Sequence, residues 1–173
     1  PKDLVEISLL QGEVLYLQGE WDRAMEVLRS LRTVPQDRID SRVLSEVARM
    51  MGVICLNRAD YERASTLLQE SLDIATRTGD RTTAADILYD MGGVMERRGM
   101  NAEALDRFQK ARDIAIELSD DLALGKALYG LGRAQSTLRE FERAIELKKE
   151  ALAILERRGD TTMMAKACIS IGN

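Results

Sequence analysis

The chain has 173 residues, 45% of them hydrophobic and 31% charged, with a net charge of −4. That length suits about one ordinary domain, and no apolar run approaches the ~18 residues of a membrane span. Aromatics are only 4% and the balance is acidic, which excludes a general nucleic-acid binder, and there is no histidine to serve as general base or metal ligand.

The two cysteines, Cys55 and Cys168, lie far apart and outside any C-x-x-C pair. They read as small buried hydrophobes in a reducing compartment. No signal peptide is visible, so the expected location is cytoplasmic. The chain opens at Pro1 without Met and stops at Asn173 inside a pattern, so it reads as a piece of a longer protein.

Taken in chain order, the predicted elements alternate. Helices of a first type (A) are expected at about 3–18, 41–58, 81–98 and 121–138, with a fifth from 161 to the end. Helices of a second type (B) are expected at about 21–33, 61–77, 101–118 and 141–158. No proline follows Pro35, as uninterrupted helices require. Asp40, Asp80, Asp120 and Asp160 are predicted N-caps, and Gly79 and Gly159 predicted left-handed C-terminal stops.

The elements repeat every 40 residues. Glycine recurs at 12, 52, 92, 132 and 172, alanine at 24, 64, 104 and 144, and aspartate at 40, 80, 120 and 160. The domain plan is therefore four helix-pair repeats (about 5–40, 41–80, 81–120 and 121–160) plus half of a fifth (161–173). A glycine in mid-helix costs about 1 kcal/mol against alanine, so its recurrence implies close approach by a neighbouring helix. The recurrent alanines are expected to face it, small against small.

Trp21-Asp22-Arg23-Ala24, Tyr61-Glu62-Arg63-Ala64 and Phe141-Glu142-Arg143-Ala144 stand in register, with the helix-A glycine before them and Leu31, Ser71, Ala111 and Ala151 after. This pattern resembles the tetratricopeptide repeat (TPR) family over essentially the whole chain, in a longer subclass with a 40-residue period. The sequence departs from the family where its helix-A tryptophan becomes Ser8, Ala48, Leu88 and Leu128. In mid helix B, Leu28, Leu68 and Phe108 are followed by Lys148, whose stem is expected to lie on apolar surface with its ammonium in water, or else to mark looser packing.

The resemblance implies an all-α, right-handed superhelical solenoid of antiparallel helix pairs, with A helices lining a concave groove. It implies a non-catalytic module that binds a peptide or protein segment there, with no cofactor, no nucleic acid and no membrane. Implied groove residues are Glu46, Arg49, Asn57, Asp86, Tyr89, Asp90, Lys126, Tyr129 and Arg133, with Asn173 and Lys166 continuing the row. Tyr89 and Tyr129 suit peptide side chains, or pack on neighbouring helices. Asp86 and Asp90 with Glu46 form a solvated acidic face rather than a metal site. Acidic residues dominate the early A helices and Lys126, Arg133 and Lys166 the later ones, which favours one ligand direction. The carboxylate clamp for chaperone tails is not expected, because its Lys and Asn positions are Leu9 and Glu13. Gly130-Leu131-Gly132 falls inside a helix and is not read as a nucleotide loop. Two other readings stay open: self-association, including weak contact through the C-terminal half-repeat, and a peptide-sensing regulatory domain of a larger signalling protein.

Overall fold

The computed structural model describes residues 2–35 and 37–159. Among the described residues there are eight α-helices and no strand. They are α1 (Lys2–Leu17), α2 (Trp21–Arg32), α3 (Ser41–Asn57), α4 (Tyr61–Thr78), α5 (Arg81–Arg97), α6 (Asn101–Leu118), α7 (Asp121–Thr137) and α8 (Phe141–Arg158). Each limit lies within about one residue of the position that the periodicity predicts. The expected fifth A helix, with Asp160, Met164, Lys166, Cys168, Ile169, Ser170, Ile171 and Asn173, lies outside the described residues.

Local chemistry sets the helix ends. Asp40 accepts from the Arg42 N–H at 2.8 Å, Asp80 from Thr83 N–H at 3.1 Å, and Asp120 from Leu122 and Ala123 N–H at 3.0 Å. Asp60, a cap the period alone does not single out, accepts from Arg63 N–H at 3.3 Å. α4 and α8 end on left-handed Gly79 and Gly159, as predicted. Ser119 does the same for α6, at φ 53°.

The chain forms two compact units, residues 1–83 and 84–173. In the first, α1 packs on α2, α3 on α4, and α2 on α3. Its core includes Leu28, Val47, Ile54 and Leu68, all fully buried. Ser45 and Ser71 lie buried between α3 and α4 and exchange hydrogen bonds: Ser45 Oγ donates to the Ser71 carbonyl at 2.9 Å, and Ser71 Oγ to the Ser45 carbonyl at 2.7 Å. Both hydroxyls are thereby satisfied without water.

In the second unit α7 packs on both α6 and α8. Phe108 of α6 is the centre of its core, with Leu128, Leu131, Ala134, Leu147 and Leu155.

The recurrent glycines do mark close approach, but the facing group is not the alanine side chain. A Cβ on Gly12 would stand 3.0 Å from Leu28 Cδ2, on Gly52 2.9 Å from Leu68 Cγ, on Gly92 2.5 Å from Phe108 Cε1, and on Gly132 2.7 Å from Lys148 Cγ. Each glycine is a hole that receives the mid-helix-B residue one turn beyond the alanine. The alanine matters through its backbone: the carbonyls of Ala64 and Ala144 lie at 3.4 and 3.1 Å from the same Cβ positions. Gly130 meets Phe108 too, at 2.6 Å, which explains the Gly130-Leu131-Gly132 run by packing.

Candidate functional site

The A helices carry the side chains expected to bind a ligand, and each unit has its own set. In the first unit, Glu46 and Arg49 are one turn apart on α3. The guanidinium donates to both carboxylate oxygens, Nε at 2.9 Å and the terminal nitrogen at 2.6 Å. Asn57, at the end of α3, donates from Nδ2 to the Tyr16 hydroxyl of α1 at 3.2 Å. Asn57 is exposed and the Glu46–Arg49 pair half-buried.

The second unit brings together the remaining residues on α5 and α7. Lys126 Nζ donates to Asp86 Oδ1 at 3.0 Å, linking positions one repeat apart. Arg133 pairs with Glu96 at 2.6 Å and lies over two rings, 5.2 Å from the Tyr129 centroid and 5.9 Å from that of Phe108. Its Nε is buried and has no hydrogen-bond partner among the described residues. Tyr89 rests on Phe108 with ring centroids 5.6 Å apart and planes tilted by 48°. Asp90 is half-buried on the next position of α5.

Equivalent positions differ in exposure. Tyr89 is half-buried, whereas Tyr129 is 6% exposed and belongs to the core. Tyr129 therefore acts from below, as the platform for Arg133. The polarity expected along the A helices is cancelled pair by pair in this unit, because Lys126 takes Asp86 and Arg133 takes Glu96.

The expectations for Lys148 are corrected as well. Its ammonium is not in water: the residue is 6% exposed, its stem covers Gly132, and Nζ donates to Ser136 Oγ at 2.9 Å. Burial pulls its pKa down, with Arg133 adding to the effect and Glu96 opposing it. Burial likewise raises the Glu96 carboxyl against the pull of Arg133. Burial pushes Tyr89 up to about 12, with Arg133 working against it.

Sequence reasoning left Glu96, Ser136 and Lys148 unconnected. The signal was the one-turn offset: Arg133 stands three residues short of the exact 40-residue equivalent of Glu96, within reach of a long side chain on the adjacent A helix. No helix among the described residues is long and apolar enough to cross a membrane, and no group of three or more Cys, Asp or Glu among them could hold a metal ion.

Paired antiparallel helices with mixed polar and aromatic A-helix faces define a class of helical-repeat proteins that offer side-chain surfaces to other proteins. The chain belongs to the tetratricopeptide repeat family: tetratricopeptide repeat profiles match residues 41–117, 83–157 and 6–35. No curated protein matches the sequence. Among solved structures, a Rap protein complexed with Competence and Sporulation Factor superposes with a TM-score of 0.86 at 16% identity, over 96% of this chain and 47% of that one. Aspartyl phosphate phosphatase F from Bacillus subtilis gives 0.81 at 16% identity, over 96% and 44%. A signal transduction ATPase with numerous domains and a tetratricopeptide repeat sensor, from Pyrococcus horikoshii, gives 0.81 at 15% identity, over 98% and 26%. The chain thus spans less than half the length of these structures, and at such identities the likeness is one of fold.

Proposed function

We propose that this chain is a non-catalytic interaction module that binds a segment of another protein on its A-helix faces, in the cytoplasm, where the buried Cys55 thiol stays reduced. The observation that carries the proposal is the α5–α7 surface of the second unit. There a half-buried tyrosine, an aspartate and two ion pairs share one face, and the Arg133 guanidinium is held over aromatic rings. A face of this kind offers apolar area from Tyr89 and exchangeable charge from Asp86, Asp90, Lys126 and Arg133. An incoming carboxylate can compete for Lys126, and an incoming cation for Asp86. Glu46, Arg49 and Asn57 offer the same chemistry on the first unit. Tyr129 contributes by fixing Arg133.

The comparisons favour a second reading: one similar structure is complexed with Competence and Sporulation Factor, and another is a signal transduction ATPase with a tetratricopeptide repeat sensor. On that reading the ligand is a short peptide and the binding face reports to another domain. Self-association is the third reading.

The test is capture of partners from extract on the wild-type chain, followed by direct titration of the captured segment. Tyr89→Ala and Lys126→Glu should each weaken binding, by about tenfold or more for the tyrosine. Both variants must keep the wild-type helical spectrum. Binding unchanged in both variants, but lost in variants of exposed B-helix residues such as Glu62→Lys, would remove the A-helix face from the function.

A further inference from the structure

The second unit holds a cluster of charge that the repeat does not require. Glu96 and Arg97 close α5, Arg133 lies on α7 and Lys148 on α8. At the positions equivalent to Arg133 the earlier repeats carry Val53 and Gly93, and at those equivalent to Lys148 they carry Leu68 and Phe108. The helices pair there without these charges, so the cluster is an addition to the fold and not a condition of it.

Its charges do not balance. Arg133, Arg97 and Lys148 all bear on the half-buried Glu96 carboxylate. Three cations thus act on one carboxylate. Asp86, the acid one repeat before Lys126, is already taken by that lysine at 3.0 Å.

Arg133 is the more open partner of its ion pair, with 29% of its side chain exposed against 17% for Glu96. Its guanidinium is held over the Tyr129 and Phe108 rings, and its buried Nε has no hydrogen-bond partner among the described residues. The group therefore has donors to spare, in a planar fork that matches a carboxylate. Tyr89 rests on the same Phe108 ring, 5.6 Å between centroids. One short peptide segment can reach both Tyr89 and Arg133.

We propose that Arg133 receives a carboxylate of the bound segment and that Glu96 is its internal stand-in, which holds the guanidinium until the ligand displaces it. The inference rests on the A-helix reading above and names the ligand's chemistry: an apolar side chain beside a carboxylate, either a free C-terminus or an acidic side chain. Once displaced, Glu96 is still countered by Arg97 and Lys148. The stand-in weakens the apparent affinity, because only molecules with Arg133 released take the ligand. A carboxylate suits the place better than a phosphate, since the group it replaces is itself planar and singly charged.

The Arg133 Nε–H resonance reads the exchange directly and is assigned by its loss in Arg133→Lys. The whole chain is titrated with acetyl-Ala-Ala-Ala-Leu as the free acid, as the amide, and as an amide with glutamate before the leucine, and separately with inorganic phosphate. The free acid or the glutamate peptide should shift the resonance, and whichever does so names the source of the carboxylate; the plain amide should not. Glu96→Gln should tighten the carboxylate peptide by about fivefold or more. Glu103→Gln, which removes the same charge from an exposed position of α6, should change it by less than about twofold. Arg133→Gln, with the helical spectrum of the wild type, should lose the preference for the acid over the amide. Glu96→Gln binding no more tightly than Glu103→Gln would overturn the proposal, as would amide or phosphate binding as well as the carboxylate peptides. So would the absence of any shift in Glu96→Gln; a captured segment that Tyr89→Ala still weakens would then leave the A-helix face standing without this receptor.

Discussion

Replacing each recurrent helix-A glycine by alanine tests the packing argument, because two known effects oppose each other. Alanine favours a helix interior by about 1 kcal/mol over glycine. Against this stands overpacking, typically ~1–3 kcal/mol where a methyl enters a filled core. The structure ranks the sites. At Gly12 the new Cβ meets the end of Leu28, Cδ2 at 3.0 Å, and Gly12→Ala should be neutral or gain up to ~0.5 kcal/mol. At Gly52 the contact is with Leu68 Cγ at 2.9 Å, nearer the branch point of a fully buried side chain, and Gly52→Ala should lose about 1 kcal/mol. At Gly92 three atoms of the Phe108 ring stand at 2.5, 2.7 and 2.8 Å. The same ring edge also lies against Gly130 of α7, where a Cβ would stand 2.6 Å from Cδ1 and 2.7 Å from Cε1, so a shift of the ring is costly. Gly92→Ala should therefore lose about 2–3 kcal/mol even after the helix gain. Guanidinium unfolding followed by circular dichroism measures the series, with Phe108→Leu as the partner change. Phe108→Leu should restore part of the stability of Gly92→Ala, since Leu68 fits against Gly52. The reasoning fails if Gly92→Ala matches or exceeds the wild type, or if the double variant loses the sum of the single losses.

Three other outcomes follow from the second core and the serine pair. Lys148→Leu removes a buried ammonium from a position that Leu28 and Leu68 fill elsewhere, and Ser136 keeps its own bond to the Gly132 carbonyl at 3.0 Å. The change should raise stability by about 1–3 kcal/mol, read as a higher melting temperature. Glu96, whose carboxyl is raised by burial, binds more protons folded than unfolded just above its ordinary value of 4.5. Through this group stability rises as pH falls toward 4.5, so wild type should gain on Glu96→Gln between pH 7 and 4.5 in paired urea melts. Ser45→Ala leaves the Ser71 carbonyl without the serine donor it has now and should cost about 1–2 kcal/mol by chemical denaturation, with Ser71→Ala adding less than its separate cost.

The helices were legible in the sequence because three residue types keep one period and each has a local cause. Aspartate caps, glycine stops and apolar spacing all act within a few residues. For the candidate residues, the sequence placed them on the A helices but did not report their state. Tyr89 and Tyr129 occupy the same repeat position, yet Tyr129 is buried because its neighbours include Arg133 and Phe108. Exposure of that kind depends on what stands on the adjacent helices, and the repeat register alone does not report it. The charge row misled for the same reason: Lys126 and Asp86 are 40 residues apart in the chain but 3.0 Å apart in the fold. Lys148 shows the reverse case. Its identity broke the pattern openly, and only the structure shows its ammonium turned inward to Ser136.

One left-handed residue closes a helix at 19, 59, 79, 99, 119, 139 and 159, and three of these, Ala59, Ser119 and Arg139, are not glycine. The interval that would place another at 39 holds instead a buried Ile39, reached through the irregular stretch after Pro35. Elsewhere a hinge of fixed hand dictates where the next helix starts, so adding a residue would rotate everything downstream. Among the described residues between Thr33 and Arg38 no such hinge sets the count. That stretch is the natural place to lengthen the chain, to graft a tag or to open it for protease, with Ile39 as the fixed point that must stay in register.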